Sequence, residues 1–423
     1  MSLKDISKQY GIWLLPFLII LLAPVFFNSG FAFSVMGQMG VAIIFTVAYN
    51  MLLGQGGMLS FGHAIYFGLA GYSTIHIMNN MLKEDAFYFP VSLLPILGGL
   101  VGLLFGIIIG YVSTRRAGTT FAMISLGFGE MVTALTLILI AFFNGEEGIQ
   151  GDRMIGPEPF GIDYGSDIQV FYLIGIWCLV AIIGMYAITK TPFGRMSNAV
   201  RDNPERTQFV GFNTQRVRWM AFALSSFFAG IAGSLHALNF EHVGFETVGA
   251  AQSGFVLFMA FIGGSGYFLG PILGAMIITF LTASLGEVSE AWFLYLGIFF
   301  IMMVLFAPGG LAGIVMIHEP IWKVDYRLLK HLAKSYSAGI GATLLTAIGA
   351  TGMIELVYFT SHHVSGETTF SLFWVTVDIT SVLPWLTFIL ISGGGGYLCM
   401  KTYPLMAKAL NEVMEDIKNR MAV

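Results

Sequence analysis

Charge is what this 423-residue chain has least of: Asp, Glu, Lys and Arg make up 10% of it, against roughly 25% in soluble domains. With 56% hydrophobic residues, that scarcity excludes a soluble globular protein and leaves a polytopic membrane protein, with lipid around it and no nucleic-acid partner. The two cysteines, Cys178 and Cys399, sit in separate apolar segments. They give no disulfide framework and no metal motif, and read as small buried side chains. No G-x-x-x-x-G-K-[ST] occurs, so this chain binds no ATP through a phosphate loop and is expected to hold no cofactor. His63, His76, His236 and His242 are scattered without the H-E-x-x-H spacing of a metalloenzyme, and no Ser/His/Asp arrangement can be argued, which disfavours an enzyme. A secondary transporter would show inverted repeats and paired intramembrane charges. The chain has one deep acid and no evident cationic partner for it.

Glycine, in contrast, is abundant: 52 of 423 residues, about 12% against a usual ~7%. That suits transmembrane helices packed backbone to backbone and broken locally. A span needs about 20 apolar residues to cross ~30 Å of hydrocarbon. Expected spans lie at 12–27, 31–53, 58–78, 91–112, 118–143, 168–188, 219–238, 247–264, 267–285, 291–308, 338–359 and 371–398. The first is read as a membrane helix, short or kinked at Pro16 and Pro24, and not as a cleaved signal, because no small-x-small cleavage site follows it. Lys4, Lys8, Arg115, Arg116, the loop 189–218, Lys323 to Lys334, Lys401 and Lys408 then fall on one side. Glu146, Glu147, Asp152, Glu158, Asp163, Asp167, Glu241, Glu246, Glu287 and Glu290 fall on the other. The positive-inside bias makes the first side cytoplasmic, with both termini there.

Three stretches carry the functional signal. Residues 49–72, YNMLLGQGGMLSFGHAIYFGLAGY, hold six glycines. They allow either close helix packing or a broken helix, which membrane depth tolerates only where protein or water supplies backbone partners. On the second reading Asn50, Gln55, Ser60 and His63 line a pathway. In 118–143, Glu130 is the one acid deep within an expected span, and at a cost of some 2.5–3.5 kcal/mol it should face the bundle interior or an aqueous cavity. Thr119, Met123, Gly127 and Glu130 share a helix face with Thr133 beside it. Either a structural hydrogen bond or a pathway role fits Glu130. The loop 189–218 carries six of the chain's twenty Lys and Arg, and is either a solvated cytoplasmic loop or a docking segment. The glycine-rich run 262–275, IGGSGYFLGPILGA, reads as a tight turn entering a new helix with Pro271 in its first turns.

In their order, YNMLLGQGGMLSFGHAIYFGLAGY, RRAGTTFAMISLGFGEMV from Arg115, NGEEGIQG from Asn144, GRMSNAVRDNPERTQFVGFN from Gly194, IGGSGYFLGPILGA and FAPGGLAGI from Phe306 resemble successive blocks of the LivM-type permease subunit of branched-chain amino acid ABC importers. The resemblance covers roughly residues 30–315. It implies a non-catalytic subunit of the bacterial inner membrane and an all-α polytopic transmembrane bundle of about ten spans; the two further spans beyond it are read from hydropathy and depart from the family pattern. It also implies a LivH-type permease partner, two cytoplasmic ABC ATPases that use ATP and Mg, and a periplasmic solute-binding protein. Substrates would be branched-chain or related amino acids. Neighbouring groups of the family handle urea, short amides or aromatic acids.

The resemblance further implies that the segment matching Gly194–Gly211 couples to an ATPase. Phe193, Val200, Phe209 and Val210 are then candidate anchors and Arg195, Arg201 and Arg206 charge partners, with Gly194, Asp202 and Gly211 in the same segment. Such permeases finish near Gly313, so residues 1–315 are read as the permease domain and 316–423 as an extension. In the extension, Lys323, Arg327, Lys330 and Lys334 with Trp322 and Tyr326 suggest an amphipathic helix lying on the cytoplasmic leaflet over 320–334. Met406, Leu410, Val413, Met414, Ile417 and Met421 mark an amphipathic tail over 404–421.

Overall fold

Eight helices among the described residues are long and apolar enough to cross a membrane, or nine if one bent pair, Trp292–Phe306 with Gly310–Val324, is a single span. The computed structural model describes residues 16–83, 88–154, 162–362, 369–372 and 375–421. The start of the first expected span, Lys4, Lys8, residues 84–87 and Glu158 lie outside them. The chain is an all-α polytopic bundle divided into two compact units. One comprises residues up to Ser284 with Phe299–Gly313, the other Leu285–Ile298 with the chain from Ile314 onward.

In the first unit the helices are α1 (Pro16–Phe26), α2 (Gly30–Leu53), α3 (Ala64–Met81), α4 (Leu94–Ser113), α5 (Thr119–Ile138), α6 (Ile140–Phe143), α7 (Asp167–Lys190), α8 (Pro192–Asp202), α9 (Pro204–Phe209), α10 (Thr214–Phe240) and α11 (Ala250–Gly263), while α12 (Gly270–Val288), α13 (Trp292–Phe306) and α14 (Gly310–Ile317) are each divided between the two units. α10 is the inner helix, packed against α4, α3 and α2, and α2 in turn packs on α7. α3 carries Ser73, Thr74, His76, Asn79 and Asn80 and does not reach lipid-grade hydropathy, yet most of it is buried. Protein and not lipid surrounds it, so polar side chains find partners there: Thr74 donates to Ala70 O at 2.8 Å and pairs with Ser234 Oγ at 2.9 Å.

The α4–α10 seam rests on glycines spaced four apart. A Cβ at Gly98 or Gly106 would meet Ser234 or Ser226 side chains at 2.5 Å, and one at Gly110 would meet Phe222 at 2.6 Å. At Gly102 it would collide with Ser226 O, and at Gly230, across the seam, with Gly98 O. Spacing of four puts these glycines on one helix face, so the two backbones approach along about three turns.

Three expected spans of this unit end up shorter than read. Residues 58–63 are not helical and the helix begins at Ala64. The expected 118–143 stops at Leu139 and resumes as one short turn, and 247–264 shortens to the 14-residue α11. Outside α5 the chain folds back: Asn144 adopts a left-handed conformation (φ 60°) and its side chain donates to Gly148 O at 2.8 Å. β1 (Ile149–Gln150) then pairs antiparallel with β2 (His242–Val243). Arg153 closes this loop, bonding Tyr164 O at 2.8 Å and Asp167 at 3.1 Å.

The second unit contains α15 (Glu319–Val324), α16 (Leu329–His362), β3 (Thr369–Leu372), β4 (Val375–Asp378) and α17 (Val382–Met421). α16 and α17 form a long helical pair, with Gly349 and Gly352 against Ser392 and Phe388 and Gly395 against Thr346. The expected span 371–398 is corrected here: its first residues form the antiparallel β3–β4 pair and the helix begins at Val382. So is the amphipathic helix over 320–334, which splits into α15, a 3₁₀ turn at Tyr326–Leu328 and the first residues of α16. The apolar faces of 320–334 and 404–421 meet each other: Ile321, Leu328 and Leu332 form a small core with Val413 and Ile417. Arg420 bridges Asp416 and Asp325 at its rim. Elsewhere in this unit, Ser289 Oγ and Tyr295 OH both donate to Glu355 Oε1 at 2.5 Å.

Candidate functional site

The break between α2 and α3 is where the glycine-rich stretch becomes a site. α2 closes with an αL cap: Gly57 N bonds Leu53 O at 3.1 Å with Gly57 in the left-handed region at φ +63°, and Met58 N reaches back to Leu52 O at 2.9 Å. Glycine is needed there because a Cβ strains that conformation. The backbone then runs unhelically to His63, and its donors are satisfied from distant helices. Phe61 N donates to Ser125 Oγ of α5 at 3.0 Å and Ala64 N to Ser253 Oγ of α11 at 2.9 Å. Two serines from elsewhere in the chain thus supply hydroxyl acceptors to N–H groups at the start of α3, where no own side chain does so.

His63 is fully buried among Phe45, Tyr49, Tyr66 and Phe222. Its Nε2 lies 3.2 Å from Ser225 Oγ, and that hydroxyl donates to Ala48 O at 2.6 Å. With the hydroxyl proton engaged, Nε2 carries the hydrogen and Nδ1 of the neutral ring is an acceptor. His63 Nδ1, Ser60 Oγ and Asn50 Oδ1 are all buried without a partner among the described residues. Buried polar atoms are normally satisfied, so three acceptors left over around one helix break mark it as a polar seam in an apolar bundle. Gln55 is half-buried at its edge and uses its backbone carbonyl, which accepts from Ser197 Oγ at 3.4 Å.

α5 packs on this break through Ser125 and Gly129, whose built Cβ lies 3.4 Å from Gly62 Cα. Glu130, the next residue, is rotated away and exposed, as are Thr119, Met123 and Gly127. The interior expected around Glu130 is therefore not supplied by this chain, because the face of α5 turned inward is Phe121, Ser125, Gly129, Val132 and Thr136. Glu130 has no hydrogen-bond partner among the described residues. Thr133, half-buried beside it, turns its hydroxyl back to Gly129 O at 3.0 Å.

The cationic segment folds as its punctuation dictates. Thr191, Asn203 and Asn213 cap α8, α9 and α10 through their side chains, accepting from Gly194 N at 3.3 Å, Arg206 N at 2.8 Å and Arg216 N at 3.0 Å. Pro192 and Pro204 occupy first helical positions, where no N–H is missed. Gly194 is buried where a Cβ would strike the Ile188 carbonyl, and Gly211 turns the chain at φ +96°. Val200 is buried and Phe193 packs half-buried on the core, so these two hold α8 to the bundle and are not available as outward anchors. Phe209 is 90% and Val210 69% exposed, with Arg195, Asp202 and Arg206 also exposed. Arg201 is exposed as well, at 38% of its side chain, but its tip reaches the bundle: Nη1 bonds Gly54 O, and Nε and Nη2 bond Asp202 Oδ1 at 2.9 and 2.8 Å.

The third glycine block closes the same place. A Cβ at Gly54 would strike Ser265 O, one at Gly264 would strike Gly309 O, and one at Gly310 would strike Gly264. Segments around 54, 264 and 309 thus meet backbone to backbone, with α8 on the Gly54 side. Ser125, Ser225 and Ser253 belong to this site and the motif reading missed them. A signal existed, since each places a hydroxyl in an apolar helix where it must find a partner. Among the described residues no group of three or more His, Cys, Asp or Glu could hold a metal ion.

These features define a polytopic α-helical membrane protein with a buried, non-helical break between α2 and α3 and an exposed amphipathic loop. Residues 31–307 match the family described as branched-chain amino acid transport system / permease component, and the chain belongs to that family. It is of the LivM type, a permease component of ABC transporters. It is 26% identical over 326 residues to the high-affinity branched-chain amino acid transport system permease protein LivM of Salmonella typhimurium, covering 72% of this chain and 75% of the relative. To LivM of Escherichia coli K12 it is 26% identical over 292 residues, 64% and 67% of the two chains. The galactose/methyl galactoside import permease protein MglC of Haemophilus influenzae is 25% identical over 308 residues, 65% and 85%. No solved structure matches.

Proposed function

We propose that this chain is the transmembrane permease subunit of a binding-protein-dependent ABC importer for branched-chain or related amino acids. It would sit in a bacterial inner membrane, with both termini and the segment 192–213 in the cytoplasm. It works with a LivH-type permease, two cytoplasmic ATPases that use ATP and Mg, and a periplasmic solute-binding protein. The observation that carries the reading is the exposure of Phe209 and Val210 at the end of a capped, cationic loop. Two adjacent apolar side chains among arginines suit the groove of a soluble partner, with the charges steering approach. The substrate rests on the names of the LivM relatives, while MglC is named for a sugar. Purified complex in vesicles should take up leucine only with ATP inside and loaded binding protein outside. Uptake without the ATPases would make this a secondary transporter. A binding protein that prefers a sugar, urea, an amide or an aromatic acid in a ligand screen would replace the substrate.

The pathway in this reading runs along the α5 face that carries Glu130 and past the break with Asn50, Gln55, Ser60 and His63. An exposed carboxylate within a span is costly against lipid, so a second permease chain or an aqueous path covers that face. Glu130→Gln in the same vesicles should lower uptake severalfold while the complex still assembles. Unchanged uptake at subsaturating substrate would remove Glu130 from the pathway.

A further inference from the structure

We infer that Arg201, though part of its side chain is exposed, serves as a positioning residue and not as a docking contact, transmitting movement of α8 to the α2–α3 break through its bond to Gly54 O; this rests on the importer reading above. The αL cap leaves the carbonyls of Gly54 and Gln55, just beyond the last turn of α2, without a backbone donor among the described residues. Both are filled from α8: Arg201 Nη1 bonds Gly54 O, and Ser197 Oγ, one turn earlier on the same face, bonds Gln55 O at 3.4 Å. α8 therefore acts as the C-terminal cap of α2. The remaining guanidinium donors used, Nε and Nη2, lie on Asp202 Oδ1, which fixes the fork's orientation. The aliphatic stem crosses Gly57, where a built Cβ would stand 2.7 Å from Arg201 Cγ. Val200, beside it, is buried and holds α8 against the bundle.

On its far side Gly54 rests against Ser265 O, and Gly264 rests against Gly309 and Gly310. Backbone packed on backbone has no flexible side chain to absorb a displacement, so a shift of α8 at Arg201 reaches the break and the glycine turn together. Phe209 and Val210, exposed at the end of α9, receive the partner, whereas Arg201 passes the motion inward.

The test uses the reconstituted importer carrying Arg201→Ala, Gly57→Ala or both, with ATPase retention, ATP hydrolysis and uptake measured on the same vesicles. Arg201→Ala is expected to keep its ATPases and go on hydrolysing ATP while substrate moved per ATP falls about tenfold. Gly57→Ala displaces the stem from the other side and gives a similar fall, and the double variant loses no more than either single one, as one shared joint requires. If Arg201→Ala does not accumulate, Arg201→Gln, which keeps much of the stem and removes the guanidinium fork, is read in its place. Loss of ATPases from Arg201→Ala, an unchanged ratio in the variants, or additive losses overturn the assignment. Failure of the importer reading shows differently, as a wild-type complex without ATP-driven uptake.

Discussion

Gly102→Val is expected to give a chain that inserts in the membrane but loses about 3 kcal/mol of fold stability, the upper end for overpacking, roughly a hundredfold in the folded ratio. A Cβ there would collide with Ser226 O and stand 3.0 Å from Gly230 Cα, so both neighbours are backbone and neither can rotate aside. α10, the helix it would push, also packs on α3 and α2, so relief by moving α10 disturbs their contacts as well. Gly127→Val is the control, because a Cβ there meets nothing within 4 Å, and a substitution in open space changes stability by only about 0.5 kcal/mol. Denaturation midpoints of the two purified variants check this. Similar midpoints would show that the α4–α10 seam is looser than its glycine row implies.

That seam shows what hydropathy could and could not deliver. The spans around α2, α4, α7 and α10 were legible because a run of some 20 apolar residues has one stable solution in lipid. Which faces meet was not, since lipid-facing and packed residues are equally apolar and only glycine spacing separates them. The run over 371–398 was misplaced for a related reason: Thr369, Phe370, Val375 and Val377 suit a strand pair as well as a helix start, and periodicity cannot arbitrate short apolar runs. The two amphipathic stretches 320–334 and 404–421 were recognisable singly, yet that each is the other's partner is a tertiary fact.

At the site, residue types were more legible than their directions. Glycine density allowed a break as well as close packing, and Thr191-Pro192, Asn203-Pro204 and Asn213 carry helix-start signals that the reading of the cationic loop did not use. Arg201 reads in sequence like Arg195 and Arg206, three cations in one loop. All three are exposed, and only the fold distinguishes the one whose tip bonds the Gly54 carbonyl at the end of α2. Val200 and Phe209 likewise look alike as anchors until burial separates them. Glu130 stood out in sequence as the one acid deep in an expected span, but that it lies exposed on α5, turned away from the break, is a fact of the fold.

Phe209→Asp should release the ATPases from the complex, with affinity falling on the order of a hundredfold, since losing a desolvated aromatic anchor costs about 2 kcal/mol or more and the new carboxylate must be buried unpaired. Phe209 is 90% exposed and packs on nothing that would fold the chain, so membrane insertion and the melting midpoint of the isolated subunit should stay near wild type. Arg206→Ala is expected to behave differently. Its side chain is exposed at the rim of the same segment, where a charge mainly steers encounter, so association slows and loses salt dependence while dissociation changes little. Surface-plasmon or pull-down kinetics of the ATPase on immobilised permease separate the two. If Phe209→Asp binds as tightly as wild type, the exposed pair Phe209 and Val210 is not the docking face, and the loop that Arg201 anchors would have to be driven from another surface.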